Sequence, residues 1–343
     1  RHSQQKIILH PNDDVNMGQS SNDVIPSCIH LSAAKLISDE LLPALQHLSD
    51  TLDAKASEHH NTIKTGRTHL MDAMPLSFAQ EISGWSSQIR YAHQQLGNSL
   101  PSLLKLAIGG TAIGTGVNTH PEFSGIVTRV LTQRTGLSFT PADNYFRAIS
   151  AQDTAVQISG VLKTTAVSLS KVSNDIRWLS SGPLNGLNEL QLPELQKGSS
   201  IMPGKVNPVI PEAVLMACTQ VIGNDTTVTI AGQSGNFQLN TMLPLIGHTL
   251  VQSIQLLTSS SMALADKVIK DMKVNHSMIN HNLAKNPILA TALNQLIGYD
   301  KSAEIAKKAY EEKRTVLDVA RELTDISEAE LIKLLDPKRL TRE

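Results

Sequence analysis

The sequence predicts an all-α protein, a long central helical bundle followed by a small C-terminal helical domain. Three observations predict it. Hydrophobic residues make up 41% of the chain but aromatics only 3%, so the core is aliphatic. Strands favour aromatic and β-branched residues, whereas Leu and Ala suit long packed helices. Second, Ile158, Leu162, Thr165, Leu169, Val172, Ile176 and Leu179 recur at alternating steps of four and three. That is a coiled-coil-like seam, and at about 1.5 Å per residue its helix runs about 45 Å. Third, from about Lys273 the pattern changes to short, charged helices, which reads as a small separate domain.

Composition bounds the function classes. The 343 residues suffice for two or three domains or one large helical body. A net charge of −1 makes no electrostatic case for nucleic acid or an anionic membrane. No stretch of about 20 apolar residues is present to span a bilayer. Cys28 and Cys218 each lie in an apolar helical pattern and are expected to be buried thiols in a reducing compartment. No signal peptide is evident, and the start at Arg1 is expected to be a trimmed one.

The elements follow in order. Residues 1–23 are polar and turn-rich. Asn12, Asp14 and Asn16 have calcium-loop spacing, but Met17 stands where such a loop needs Gly, which excludes that reading. Ser20-Ser21-Asn22-Asp23 reads as a helix N-cap cluster, and a helix N-terminus also offers free N–H groups to an anion. Ala34, Ile37, Leu41, Leu45, Leu48 and Leu52 form one apolar stripe, with a kink or break expected at Pro43. His59-His60 near its end cannot face one metal from a helix and are expected to be solvated.

Residues 61–75 read as extended or loop, and place Arg67, Thr68 and His69 in a row on non-helical backbone. A lone His is more often structural than catalytic, and Arg67 and Thr68, both able to bind a carboxylate, reduce those odds for His69. The next helix carries Ile82, Trp85, Ile89, Leu96 and Leu103 on one face. The glycine run 109–116 lacks the Lys-Ser/Thr of a P-loop and a preceding strand, so it is most simply a turn where chain segments approach closely. After the seam, Ser181-Gly182-Pro183 ends the helix. Helices resume after Pro208 and from Met242 to about Asp266; short ones follow at 287–296, 302–312, 315–323 and 327–335.

Between them lies Gly198-Ser199-Ser200-Ile201-Met202-Pro203-Gly204-Lys205-Val206-Asn207-Pro208. Its glycines and prolines forbid regular helix. The loop gathers a cation, an amide and hydroxyls, a set suited to neutralising, orienting and deprotonating a carboxylate substrate. Glu212 follows in the first turn of the next helix, where a carboxylate also complements the dipole.

The spacing G-S-x-x-M-x-x-K-x-N at 198–207 resembles the signature of the fumarase/aspartase superfamily at every fixed position. With His10–Asp13, Ser20–Asp23, Thr65–His69, Gly114–Glu122, Ser234–Asn240 and Ile297–Ala309, the chain resembles class II fumarate hydratases over nearly its whole length. Leu190–Leu195 and Pro208–Glu212 look aspartase-like, but Ser21, Asn118–Glu122 and Ser234–Phe237 tip the balance towards fumarases. An aspartate ammonia-lyase and a non-catalytic helical scaffold are the alternatives; the scaffold is disfavoured because Ser199, His69, Lys205, Asn207 and Glu212 are all present.

The resemblance implies a homotetramer around a central bundle, with each site shared between chains, and a role in the tricarboxylic acid cycle. It implies a cytoplasmic location, or the mitochondrial matrix in a eukaryote. Residues 1–18 would then be the remnant of an N-terminal domain, 19–272 the central bundle and 273–343 the C-terminal domain. Ser199 is implied as the base, with His69 and Glu212 as its catalytic companions. Ser20, Ser21, Asn22, Thr68, Ser200, Lys205 and Asn207 would bind a dicarboxylate substrate. His10, Pro11, Asn12 and Asp13 resemble a second, non-catalytic dicarboxylate site. The chemistry calls for no metal and no organic cofactor.

Overall fold

A computed structural model of the protein describes residues 9–196 and 201–341. Pro11–Val15 form one π turn. Helix α1 (Ser21–Leu36) leads through a π turn at Ile37–Leu41 into α2 (Leu42–Ser57). Pro43 cannot donate to the carbonyl four residues back, and the preceding turn is widened: Leu42 N–H donates to Ile37 O instead. The expected break is therefore a widened turn in a helical path that continues. Every residue of the 34–52 stripe is fully buried.

Of the two forms expected for residues 61–75, the structure shows the extended one. Strands β1 (Ile63–Thr68) and β2 (Met71–Ser77) pair antiparallel, with a register shift between Thr65 and Arg67. Gly66 lies at that shift, where a Cβ would stand 2.6 Å from the Met74 carbonyl oxygen, so only glycine fits without rearrangement. Then come α3 (Phe78–Leu103), β3 (Lys105–Leu106), α4 (Phe123–Thr135), β4 (Thr140–Pro141), α5 (Tyr145–Ser150) and α6 (Asp153–Leu179). Strands β3 and β4 form a short parallel pair. The seam residues on α6 are all buried, Thr165 included, as are the five apolar residues singled out on α3. Strand β5 (Leu190–Gln191), α7 (Val209–Gly232), α8 (Leu243–Leu264), β6 (Lys273–Val274) and α9 (His276–Ala284) follow, with β5 and β6 antiparallel. A 3₁₀ turn at Pro287–Leu293 leads to α10 (Asn294–Ile297), α11 (Tyr299–Glu312), α12 (Val316–Leu323) and α13 (Glu328–Leu334). The protein is thus mostly helical, with three two-stranded ladders among the described residues that the all-α expectation omitted.

Two compact units divide the chain: Arg1–His47, Ile89–Lys171 and Ala213–Met262 form one, and Leu48–Gln88, Val172–Glu212 and Ala263–Glu343 the other. In the first, Asn224 Nδ2 donates to Gln252 Oε1 and Ser253 Oγ, both at 3.0 Å, tying α7 to α8. In the second, Trp85 Nε1 donates to Asp175 Oδ2 at 2.9 Å, tying α3 to α6. The second unit also contains an apolar cluster around Leu293, Ile305, Val319, Ala320 and Leu331, all fully buried, which packs the short terminal helices together.

Candidate functional site

His69 and Leu70 are the two residues that join β1 to β2, since Thr68 pairs with Met71. A two-residue hairpin of this kind needs positive φ at both central positions, and usually takes Asn-Gly or Gly-Gly. Here φ is 55° at His69 and 61° at Leu70. Both side chains bear a Cβ that disfavours this conformation. Leu70 is 67% exposed, so burial does not offset the strain. Thr68 and His69 are exposed as well, at the tip of the hairpin. Backbone strain of this kind persists where the surroundings over-determine it, and it concentrates at working sites.

The Ser20–Asp23 cluster is the predicted N-cap. Ser20 Oγ accepts from Asn22 N–H at 3.2 Å, and Asp23 Oδ1 accepts from Ser20 N–H at 3.0 Å, a capping box. Asp23 is fully buried, and its Oδ2 accepts from the Gly109 and Thr111 amides, both at 2.9 Å. Asn22 Nδ2 donates to the Ala112 carbonyl at 2.8 Å. The glycine run is thus the close-approach turn expected of it: a Cβ on Gly109, at φ +98°, would stand 2.7 Å from Ser124 Cβ. Ser21 is left exposed in the first turn of α1.

His10 caps the Pro11–Val15 turn, its Nδ1 accepting from Asp13 N–H at 3.2 Å, and Pro11, Asn12 and Asp13 are exposed. Asn12 and Asp13 line a cleft of about 560 Å³ together with Gln19, Ser20, Thr111 and Asn118. Among the described residues no group of His, Cys, Asp and Glu could hold a metal ion.

Ser199 and Ser200 lie outside the described residues. After them, Lys205 is exposed and Asn207 half-buried on an irregular loop in which Lys205 N–H donates to Met202 O. Glu212, in the first turn of α7, is half-buried, and its Oε1 lies 3.9 Å from Arg177 Nη2. Within this chain no hydrogen bond or ion pair joins Glu212 to His69. The structure brings Ser20, Asn12 and Asp13 to one cleft, and Thr68 and His69 to one tip.

Sequence reasoning missed the residues that hold the hairpin. Arg67, read as able to bind a carboxylate, donates to one within the chain, that of the buried Glu189. Asn286 Nδ2 donates to Ala73 O at 2.9 Å and to Thr65 Oγ1 at 3.3 Å. Other expectations need correction. Cys28 is exposed, because it falls off the buried face of α1; Cys218 is buried, and burial pushes its thiol up to about 11. His60 is exposed, but His59 is only partly so: it packs edge-on against Phe78 at 5.7 Å, and burial lowers its pKa.

The chain matches a family model described as Lyase over residues 3–223, and one described as Fumarase C C-terminus over residues 289–342. It is 58% identical to fumarate hydratase class II 2 of Pseudomonas aeruginosa, across 97% of this chain and 73% of that protein. It is 55% identical to a class II fumarate hydratase of Xylella fastidiosa, across 97% of this chain and 70% of that one. Its fold matches the crystal structure of a class II fumarase from Schistosoma mansoni with a TM-score of 0.93 and 40% identity, covering 99% of this chain and 74% of that one. By these matches the chain is a lyase and belongs to the class II fumarate hydratase family.

Proposed function

We propose that this chain catalyses the reversible hydration of fumarate to (S)-malate, as a hydro-lyase of the tricarboxylic acid cycle. The observation that carries it is His69, exposed on strained backbone at a hairpin tip beside Thr68. In dehydration, Ser199 as alkoxide takes the proton from the carbon next to a malate carboxylate. The electron pair left behind spreads into that carboxylate, where Lys205 and Asn207 stabilise it. Thr68, Ser20, Ser21, Asn22 and Ser200 supply further donors. The pair then forms the double bond as the C–O bond breaks, and His69 delivers a proton so that hydroxide leaves as water. Glu212 orients His69 and raises its basicity.

Within one chain Glu212 faces Arg177, not His69. That supports a homotetramer in which a neighbouring copy completes each site. Residues 273–343 act as a small domain around the Leu293 and Ile305 core. His10, Pro11, Asn12 and Asp13, at the cleft, form a second, non-catalytic dicarboxylate site. No described helix is long and apolar enough to cross a membrane. The reading places the enzyme in the cytoplasm, or in the mitochondrial matrix of a eukaryote.

An aspartate ammonia-lyase shares the carbanion step, so the leaving group decides between them. Hydroxide needs a proton as it departs, whereas a protonated amine leaves unaided. The enzyme at the full length of its relatives is assayed by fumarate absorbance on malate and on aspartate. Malate turns over at least about a thousandfold faster. Comparable rates would promote the ammonia-lyase, and no turnover of either would leave the non-catalytic scaffold.

A further inference from the structure

Two cations leave β1 and meet on one carboxylate. Lys64 Nζ lies 2.8 Å from Glu189 Oε2 and 2.7 Å from Glu81 Oε2, while Arg67 Nη2 donates to Glu189 Oε1. Lys64 and Glu189 are each 1% exposed. Each oxygen of Glu189 thus has its own cation, and Asp72 Oδ1 also lies 3.9 Å from Arg67 Nε. Removing such charges from water is costly, and an apolar cluster of the same volume would stabilise a fold as well. What the charged set adds is direction: the fork of a guanidinium fixes the strand that carries it.

Glu189 is itself fixed by main chain. Its N–H donates to Leu179 O at 2.8 Å, at the end of α6, and its carbonyl accepts from Asn275 N–H at 2.9 Å, just after β6. Arg67 stands two residues before His69. The left-handed backbone at His69 and Leu70 needs restraint from outside the turn, because local sterics oppose it. On the facing strand Asn286 holds Ala73, which lies inside the register shift, one residue further from the tip than the Arg67–Asp72 pair. The nearest buried anchor on the histidine's own strand is Arg67 on Glu189.

We infer that Glu189 is a positioning residue for His69: through Lys64 and Arg67 it fixes the hairpin so that the imidazole meets the substrate in one orientation. The inference rests on His69 being the group that transfers the proton.

A double-mutant cycle of Glu189→Gln with His69→Asn tests it, in the enzyme at the full length of its relatives. Activity is expressed per folded protein from far-UV circular dichroism and size exclusion. In the His69 background, Glu189→Gln lowers kcat about tenfold to a hundredfold, while KM moves less than about threefold. In the His69→Asn background the same change costs less than about twofold, because the group it positions is gone. Equal factors in both backgrounds, or wild-type kcat for Glu189→Gln alone, overturn the inference. A His69→Asn enzyme with wild-type turnover overturns the reading of His69 itself, and is recognised before Glu189 is changed. Should Glu189→Gln fail to fold, the charge-balanced pair Lys64→Met with Glu189→Gln carries the same cycle and the same expected factors.

Discussion

Asp23 Oδ2 accepts a 2.9 Å hydrogen bond from the Gly109 amide, 86 residues away in sequence. The same carboxylate closes the capping box of α1 and accepts from Thr111. Asp23→Ala therefore removes a helix cap and strands two amides in a buried turn. A loss of about 2–4 kcal/mol is expected in urea unfolding. A change under about 1 kcal/mol would mean that water replaces the carboxylate there.

His69→Asn is expected to cut malate dehydration about a hundredfold or more, since it removes the proton donor. Glu212→Gln is expected to cut it less, by about tenfold, because it only biases that donor. Unchanged turnover in Glu212→Gln would leave Glu212 as a helix-dipole carboxylate partnered by Arg177.

Leu70→Gly relieves positive φ at a residue that buries little. Thermal stability should rise, by about 0.5–1 kcal/mol after the entropy cost of glycine. The freer tip should lower kcat at the same time. A lower melting temperature in this variant would refute the account of tip strain.

Burial lowers the pKa of His30 below its ordinary 6.5, with nearby Arg147 acting in the same direction and the hydrogen bond to Lys105 O opposing them. The folded state therefore favours neutral His30. Its contribution is complete above pH about 6.5 and is lost as pH falls from there through the lowered folded value, because the unfolded chain then binds the proton more readily. His59 shifts in the same direction. The melting temperature should fall as pH drops below about 6.5, and His30→Gln should flatten that slope. An unaltered slope would remove His30 from the titration.

Periodicity made the helices legible. The stripe from Ala34 to Leu52 and the seam from Ile158 to Leu179 are buried as their spacing demands. The C-terminal helices were bounded by their caps, since Thr315 and Ser327 are N-caps and Pro287 opens its turn. The hairpin was not legible because His69-Leu70 carries none of the Asn-Gly chemistry that announces a two-residue turn. The Lys64–Glu189 pair was not legible either, because no local rule links a strand cation to a carboxylate 125 positions later, the difference between their residue numbers. The Ser199 signature was read from its resemblance to a superfamily motif, and its serines lie outside the described residues.

Exposed connections between strands ordinarily tolerate added residues, which makes them the usual choice for affinity tags, fluorophore handles and circular permutation. The connection through His69 and Leu70 is the reverse case. It has no spare length, since Thr68 and Met71 are already paired on either side. One added residue would convert it to a three-residue turn with a different exit direction for every side chain it carries. A surface loop that looks like free space for engineering is therefore a gauge, set to a fixed number of residues.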